Sequence, residues 1–165
     1  MQIDFFFGKV WVLFVILIFL HGCIGKIRSR KYIKTNPELE AGYKQIFFFW
    51  VVCGNIPWVI IGLGNATHFT ESFFEYFNPI SFNPFVIMFN ISFIFLWCSA
   101  VRWIYFKNGA EFLEKHPGFF ARSRFSSDIK KEINARQIKI NLGIGFFNIL
   151  LCLGIMWVYG IGLMH

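Results

Sequence analysis

Charge is what this sequence has least of. Asp, Glu, Lys and Arg make up 15% of its 165 residues, where a water-soluble domain carries about a quarter. No carboxylate falls inside any of its four longest apolar runs. That argues against a proton-coupled exporter of the small four-helix type, which relies on an acidic residue in its first helix. There is no C-x-x-C, and the four cysteines (Cys23, Cys53, Cys98, Cys152) all fall in or beside apolar runs. A disulfide framework or redox relay therefore has no support, and small apolar packing is the role left to them. No two glycines stand four apart, so the GxxxG contact is absent. A nucleophile elbow and a phosphate-cradling glycine loop are missing too, and no pair of mid-span histidines could hold a b-type haem. No cofactor is expected.

What remains is strongly apolar. The chain is 56% hydrophobic and 21% aromatic, with 24 Phe, and its mean hydropathy is +0.56. AT-rich codons explain the abundance of Phe without any chemistry. So much apolar surface cannot be hidden in one small soluble core, so the expected solvent is lipid. Four runs can span about 30 Å of hydrocarbon at about 1.5 Å per residue: 5–25, 46–64, 85–106 and 140–163. Backbone groups in lipid must be satisfied internally, so these runs are predicted to be helices. They are continuous rather than alternating, which excludes an outer-membrane barrel. The expected fold is an all-α integral membrane protein: one domain, a four-transmembrane-helix bundle with a short interfacial helix in its outer loop.

The charges orient it. "KIRSRKYIK" (26–34) holds five basic residues and the segment 107–139 holds eight, whereas 65–84 holds no Lys or Arg and has Glu71 and Glu75. By the positive-inside rule, loops 26–45 and 107–139 are cytoplasmic, 65–84 is outside, and both termini are outside. The expected location is a bacterial cytoplasmic (inner) membrane. The net charge of +7 is thereby explained as topology, with no nucleic acid implied. Trp11, Trp58, Trp157 and Tyr159 fall toward the outer side, and Tyr43, Trp103 and Tyr105 toward the inner, as interfacial belts do; mid-span Trp97 does not fit. "LHGC" (20–23) resembles a lipoprotein processing box, but the start lacks a basic region, so the first span is expected to stay as an anchor.

Punctuation along the chain adds detail. The first helix is predicted to continue to about Lys34, with Asn36 capping a second helix that has Pro37 at its first position. Outside, Thr70 is expected to cap a short helix over 71–77, with Phe69 and Phe74 as its hydrophobic staple. Asn65-Ala-Thr fits a glycosylation acceptor, though nothing else indicates a secretory route. Inside, 110–116 should form a helical turn or two, ended by Pro117-Gly118. Phe112, Leu113, Phe119 and Phe120 should rest on the membrane surface. Ser127 should cap a last helix running from Asp128 through the fourth span. Lys9 is expected to snorkel outward or pair with Asp4, and Arg102 to reach the inner interface.

Two constellations could carry chemistry. In "CGNIPW" (53–58), Pro57 denies the Cys53 carbonyl its helical partner, and Gly54 and Asn55 add a close approach and an amide. The stretch reads either as a broken helix lining a polar site or as a packed proline kink. Asn55 lies near mid-bilayer, Asn148 about 5 Å toward the cytoplasm and Asn90 about 8 Å toward the outside, so Asn55 is within reach of either in height. The second constellation is His21, Cys23, Glu111, Glu114 and His116, all near the inner interface. Their donor types suit Zn²⁺, but "EFLEKH" is not H-E-x-x-H. Against the metal stands a surface turn with its carboxylates facing Lys107, Lys115 or the basic loop.

Three functional classes stay open. The first is a non-catalytic accessory or assembly subunit, packing on a membrane-protein partner or on copies of itself. The second is a small oligomeric transporter or channel using the Gly54-Asn55-Pro57 feature. The third is an interfacial metal-dependent enzyme.

Overall fold

The computed structural model describes residues 9–70, 72–118 and 134–162. Asp4, Glu71, Phe119, Phe120, Ser127 and the helix start at Asp128 lie outside them. The described residues are helices and short connections, with no strand among them. Four helices are long and apolar enough to cross a membrane.

Helix α1 (Val10–Thr35) runs unbroken through the basic stretch. At 26 residues it is about 39 Å long. It stops where Pro37 forces the preceding residue out of the helical region: Asn36 has φ −133° and ψ 86°, and its N–H closes the last turn on the Tyr32 carbonyl. Pro37 then opens α2 (Pro37–Ala66), which begins as a 3₁₀ turn, Pro37–Leu39. The two helices lie against each other as a hairpin. Gly22, Gly25 and Ser29 form the buried face of α1. The Ser29 hydroxyl is satisfied within its own helix, donating to the Lys26 carbonyl at 2.9 Å.

Helix α3 (Pro84–Phe106) begins with Asn83 capping the Phe85 N–H and Pro84 at the first position. Asn108, in the left-handed conformation at φ 55°, turns the chain into α4 (Gly109–Lys115). Helix α5 (Ala135–Gly162) completes the set.

Well-buried side chains collect at two ends rather than along the whole length. At the end carrying the 65–84 loop, Ile60, Ile61, Phe73, Tyr76, Phe77, Val86, Phe89 and Leu153 form one cluster. At the basic end, Tyr43, Ile46, Ile104, Ala110 and Leu113 form another. Between them the long helices expose large apolar side chains such as Leu17, Val52, Phe95 and Leu151.

Two local expectations are corrected. The short outer helix is a 3₁₀ turn, Phe73–Phe77, and its cap is Ser72, not Thr70. Ser72 and Glu75 make a reciprocal capping box, which satisfies two otherwise orphaned donors. Thr70 is buried instead, and the Phe69 ring packs at a tilt against Phe85, 5.3 Å away, rather than stapling Phe74. The second correction concerns α4. Leu113 is buried and Phe112 packs edge-on against Trp103, so this turn tucks under α2 and α3 instead of resting outward.

Candidate functional site: the polar residues of the apolar helices

Pro57 does not break α2. The helix passes through it, and the turn just before it is widened into a π-helical segment, Phe48–Cys53. The Gly54 N–H reaches back five residues to the Phe49 carbonyl. A widened turn is one of the recognised ways for a helix to accommodate an internal conflict, and proline supplies one here. α1 packs against the same stretch: the Trp58 ring stacks on Phe14 at 4.0 Å, and Ile18 faces Gly54.

Asn55 does not reach Asn90 or Asn148. Its amide nitrogen donates to the Val51 carbonyl at 2.6 Å, one turn back in its own helix. Its Oδ1 is buried without a donor among the described residues.

Asn90 is tied three ways. Its nitrogen donates to the Val86 carbonyl in its own helix and to the Tyr76 carbonyl in the 3₁₀ turn, each at 2.9 Å. Its oxygen accepts the Trp157 indole N–H at 3.0 Å, which brings in α5. One amide thus joins α3, the Phe73–Phe77 turn and α5. The Tyr76 side chain, fully buried, extends the node toward α2. Its hydroxyl donates to the Ile61 carbonyl at 3.1 Å and lies 2.8 Å from Thr70 Oγ1; the single Thr70 hydroxyl proton serves either Tyr76 or Asn65 Oδ1, 2.7 Å away. Burial pushes the Tyr76 phenol above its ordinary pKa, and the Thr70 hydrogen bond acts the other way. Gly64 makes room for this: a Cβ there would overlap the Tyr76 hydroxyl. Sequence reasoning found Asn90 but not Tyr76, Thr70 or Trp157, whose pairing depends on azimuth that spacing alone does not give.

Asn148 is exposed on α5 and makes no side-chain hydrogen bond among the described residues. Trp97, the aromatic that fits no belt, is an interhelical tie: its indole N–H donates to the Phe146 carbonyl of α5 at 3.2 Å.

The five candidate metal ligands are not gathered. Among the described residues, no three His, Cys, Asp or Glu side chains lie close enough to hold an ion. The His21 ring packs 5.1 Å from the Trp50 ring. Cys23 is half-buried and Glu114 exposed. Glu111 binds Lys139 Nζ of α5 at 2.7 Å, and that hydrogen bond holds its carboxyl below the ordinary glutamate pKa. His116 is buried between Phe112, stacked at 4.2 Å, and Tyr43, edge-on at 5.1 Å. Its Nδ1 lies 2.7 Å from the Phe112 carbonyl, which can only accept, so Nδ1 carries the proton. Its Nε2 faces Gly42, where a Cβ would overlap it. Tyr43 in turn donates to the Pro117 carbonyl at 2.6 Å. The basic end is therefore a packed corner in which Tyr43, Glu111 and His116 are held by hydrogen bonds to the Pro117 carbonyl, Lys139 and the Phe112 carbonyl.

Comparison with known families, with curated proteins and with solved structures finds no match. The class the fold defines is an all-helical protein with four helices long and apolar enough to cross a membrane.

Proposed function

We propose that this chain is a four-span integral membrane protein, both termini outside and both basic loops in the cytoplasm of a bacterial inner membrane, and that it works by helix packing. It is an accessory or assembly subunit that binds helices of a partner protein or of other copies. One observation carries the reading. α5 is held to the rest of the chain along a single face, through Leu153, Met156, Trp157 and Phe146, while its opposite face is apolar, exposed and interrupted by the bare amide of Asn148. An amide in hydrocarbon without a partner is unfavourable by several kcal/mol on a water-to-hydrocarbon scale, and a neighbouring helix relieves it. Native mass spectrometry after gentle detergent extraction tests this. The expected result is an assembly larger than one chain; a lone monomer in every detergent that preserves helicity would defeat it.

A second reading, a small transporter, rests on the unmet Asn55 Oδ1 beside the π-helical turn. π-helical turns are frequent at functional sites. On this reading Asn55→Leu abolishes a flux while expression is kept. The packing reading expects Asn55→Leu to leave both assembly and any associated activity unchanged.

A further inference from the structure

The outward face of α5 carries a heptad seam. Taking Asn148 as position a, the a positions are Asn141, Asn148 and Ile155, and the d positions are Gln137, Ile144, Leu151 and Val158. All seven are exposed; Ile155 is at 57% and Val158 at 73%. Leu153, which faces the chain's own core, falls at f, on the opposite side of the helix. The seam is thus a second face, separate from the one that holds α5 to the protein. A 3.5-residue spacing of large apolar side chains, with an occasional asparagine at a, is the pattern by which two parallel helices pack and fix their register.

We propose that α5 pairs with α5 of a second copy of this chain through this seam, related by a two-fold axis along the membrane normal. This names the partner left open above, and it rests on that membrane reading. Copies threaded the same way present parallel helices, and in a parallel pair each a position faces its own counterpart. Asn148 then meets Asn148, and Asn141 meets Asn141. A primary amide is self-complementary, since its NH₂ donates and its oxygen accepts. Lipid offers neither; a second copy supplies a partner amide at the same depth by symmetry, whereas an unrelated helix would need a polar group placed there independently. Beside the seam, Gly154 at position g leaves a shallow apolar notch between Phe147, Leu150 and Val158, and a Cβ there would meet nothing within 4 Å. A partner's a-position side chain, which packs beside g in a parallel pair, can enter it as a knob enters a hole.

The test is cysteine crosslinking in native membranes, with Cys23, Cys53, Cys98 and Cys152 replaced by alanine and single cysteines placed at each position from 144 to 158. Under an oxidant, a product of twice the monomer mass should peak at 144, 148, 151, 155 and 158 and fall to background at 149, 150 and 153. In the Leu151→Cys chain, adding Asn148→Leu should cut the crosslink about tenfold, while Asn148→Gln should keep it. Crosslinking of seam positions to a different polypeptide overturns the second-copy pairing and leaves the helix-packing reading intact. A flat crosslinking profile around the helix overturns the seam. If no position crosslinks and native mass spectrometry finds monomer alone, the pairing and the packing reading fall together.

Discussion

Asn90 and Asn148 are the same side chain set into two apolar helices, and their surroundings are opposite. Around Asn90 every polar atom has found a partner inside the chain: the Tyr76 carbonyl, the Val86 carbonyl and the Trp157 indole. Among the described residues, Asn148 is surrounded on its helix by exposed apolar side chains such as Ile144, Phe147 and Leu151. An amide in an apolar helix is a demand for a partner, and the chain meets it internally at Asn90 and leaves it on its surface at Asn148. The first case ties three elements of the fold together, and on the proposed reading the second is where a partner helix packs.

The largest effect is expected where the Phe73–Phe77 turn meets α2. Gly64→Val would drive its side chain into the space of the Tyr76 hydroxyl and toward Phe85. Overpacking of this kind costs about 1–3 kcal/mol, and the upper end applies because the turn must lift. Thermal unfolding of the detergent-solubilised protein should show it, with Trp157 fluorescence changing as the turn detaches. A variant as stable as wild type would mean that the turn is not seated on α2.

Next comes the node itself. Asn90→Leu removes three hydrogen bonds and leaves the Trp157 N–H without its acceptor. The expected loss is about 1–2 kcal/mol. Tyr76→Phe keeps the ring against Phe77 and Phe89 but strips the hydroxyl from Thr70 and Ile61, for a loss of about 1 kcal/mol. Both are read by the same unfolding assay. If Asn90→Leu were neutral while Asn148→Leu destabilised the isolated monomer, the contrast drawn between the two residues would be reversed.

How far these features are legible in the sequence depends on which coordinate they need. The four long helices and the hairpin at Pro37 follow from hydropathy summed over twenty residues and from proline stereochemistry, both local. Depth along the helix axis is also local, and it sets Asn55 within reach of either Asn90 or Asn148 in height, while those two lie too far apart to meet. Azimuth is not. Nothing in "CGNIPW" says that Asn55 turns back to Val51, because a π-helical turn shifts every later residue by about 100° and has no sequence signature. The Ser72 cap was readable: "SFFE" has the spacing of a capping box, whereas Thr70 is followed three residues later by Phe73. The metal candidates fail for the same reason as Asn55. Sharing a depth does not bring side chains together, and His116 faces Gly42 while Glu111 faces Lys139.

Asn55 sharpens the comparison from the other side, as an amide that meets half of its demand within its own turn. Replacing it by leucine removes a buried oxygen that lacks a donor, together with an intrahelical bond from which little is gained. Stability should stay within about 0.5 kcal/mol of wild type. A larger loss would show that water or another group occupies the oxygen.

The smallest effect concerns the ion pair that pins the base of α5, the helix whose far face is unpartnered. Glu111 is held below its ordinary pKa by the hydrogen bond from Lys139. A carboxyl with a lowered folded pKa adds stability that is complete above the unfolded glutamate value, about 4.3, and is lost as pH falls through the lowered one. Glu111→Gln should therefore lower the unfolding temperature slightly at pH 7 and not at all at acid pH once the wild-type carboxyl is protonated. The pair is partly exposed, so added salt should shrink the pH 7 difference as well. A difference that survives both acid and salt would mean that Glu111 positions α5 by packing rather than by charge.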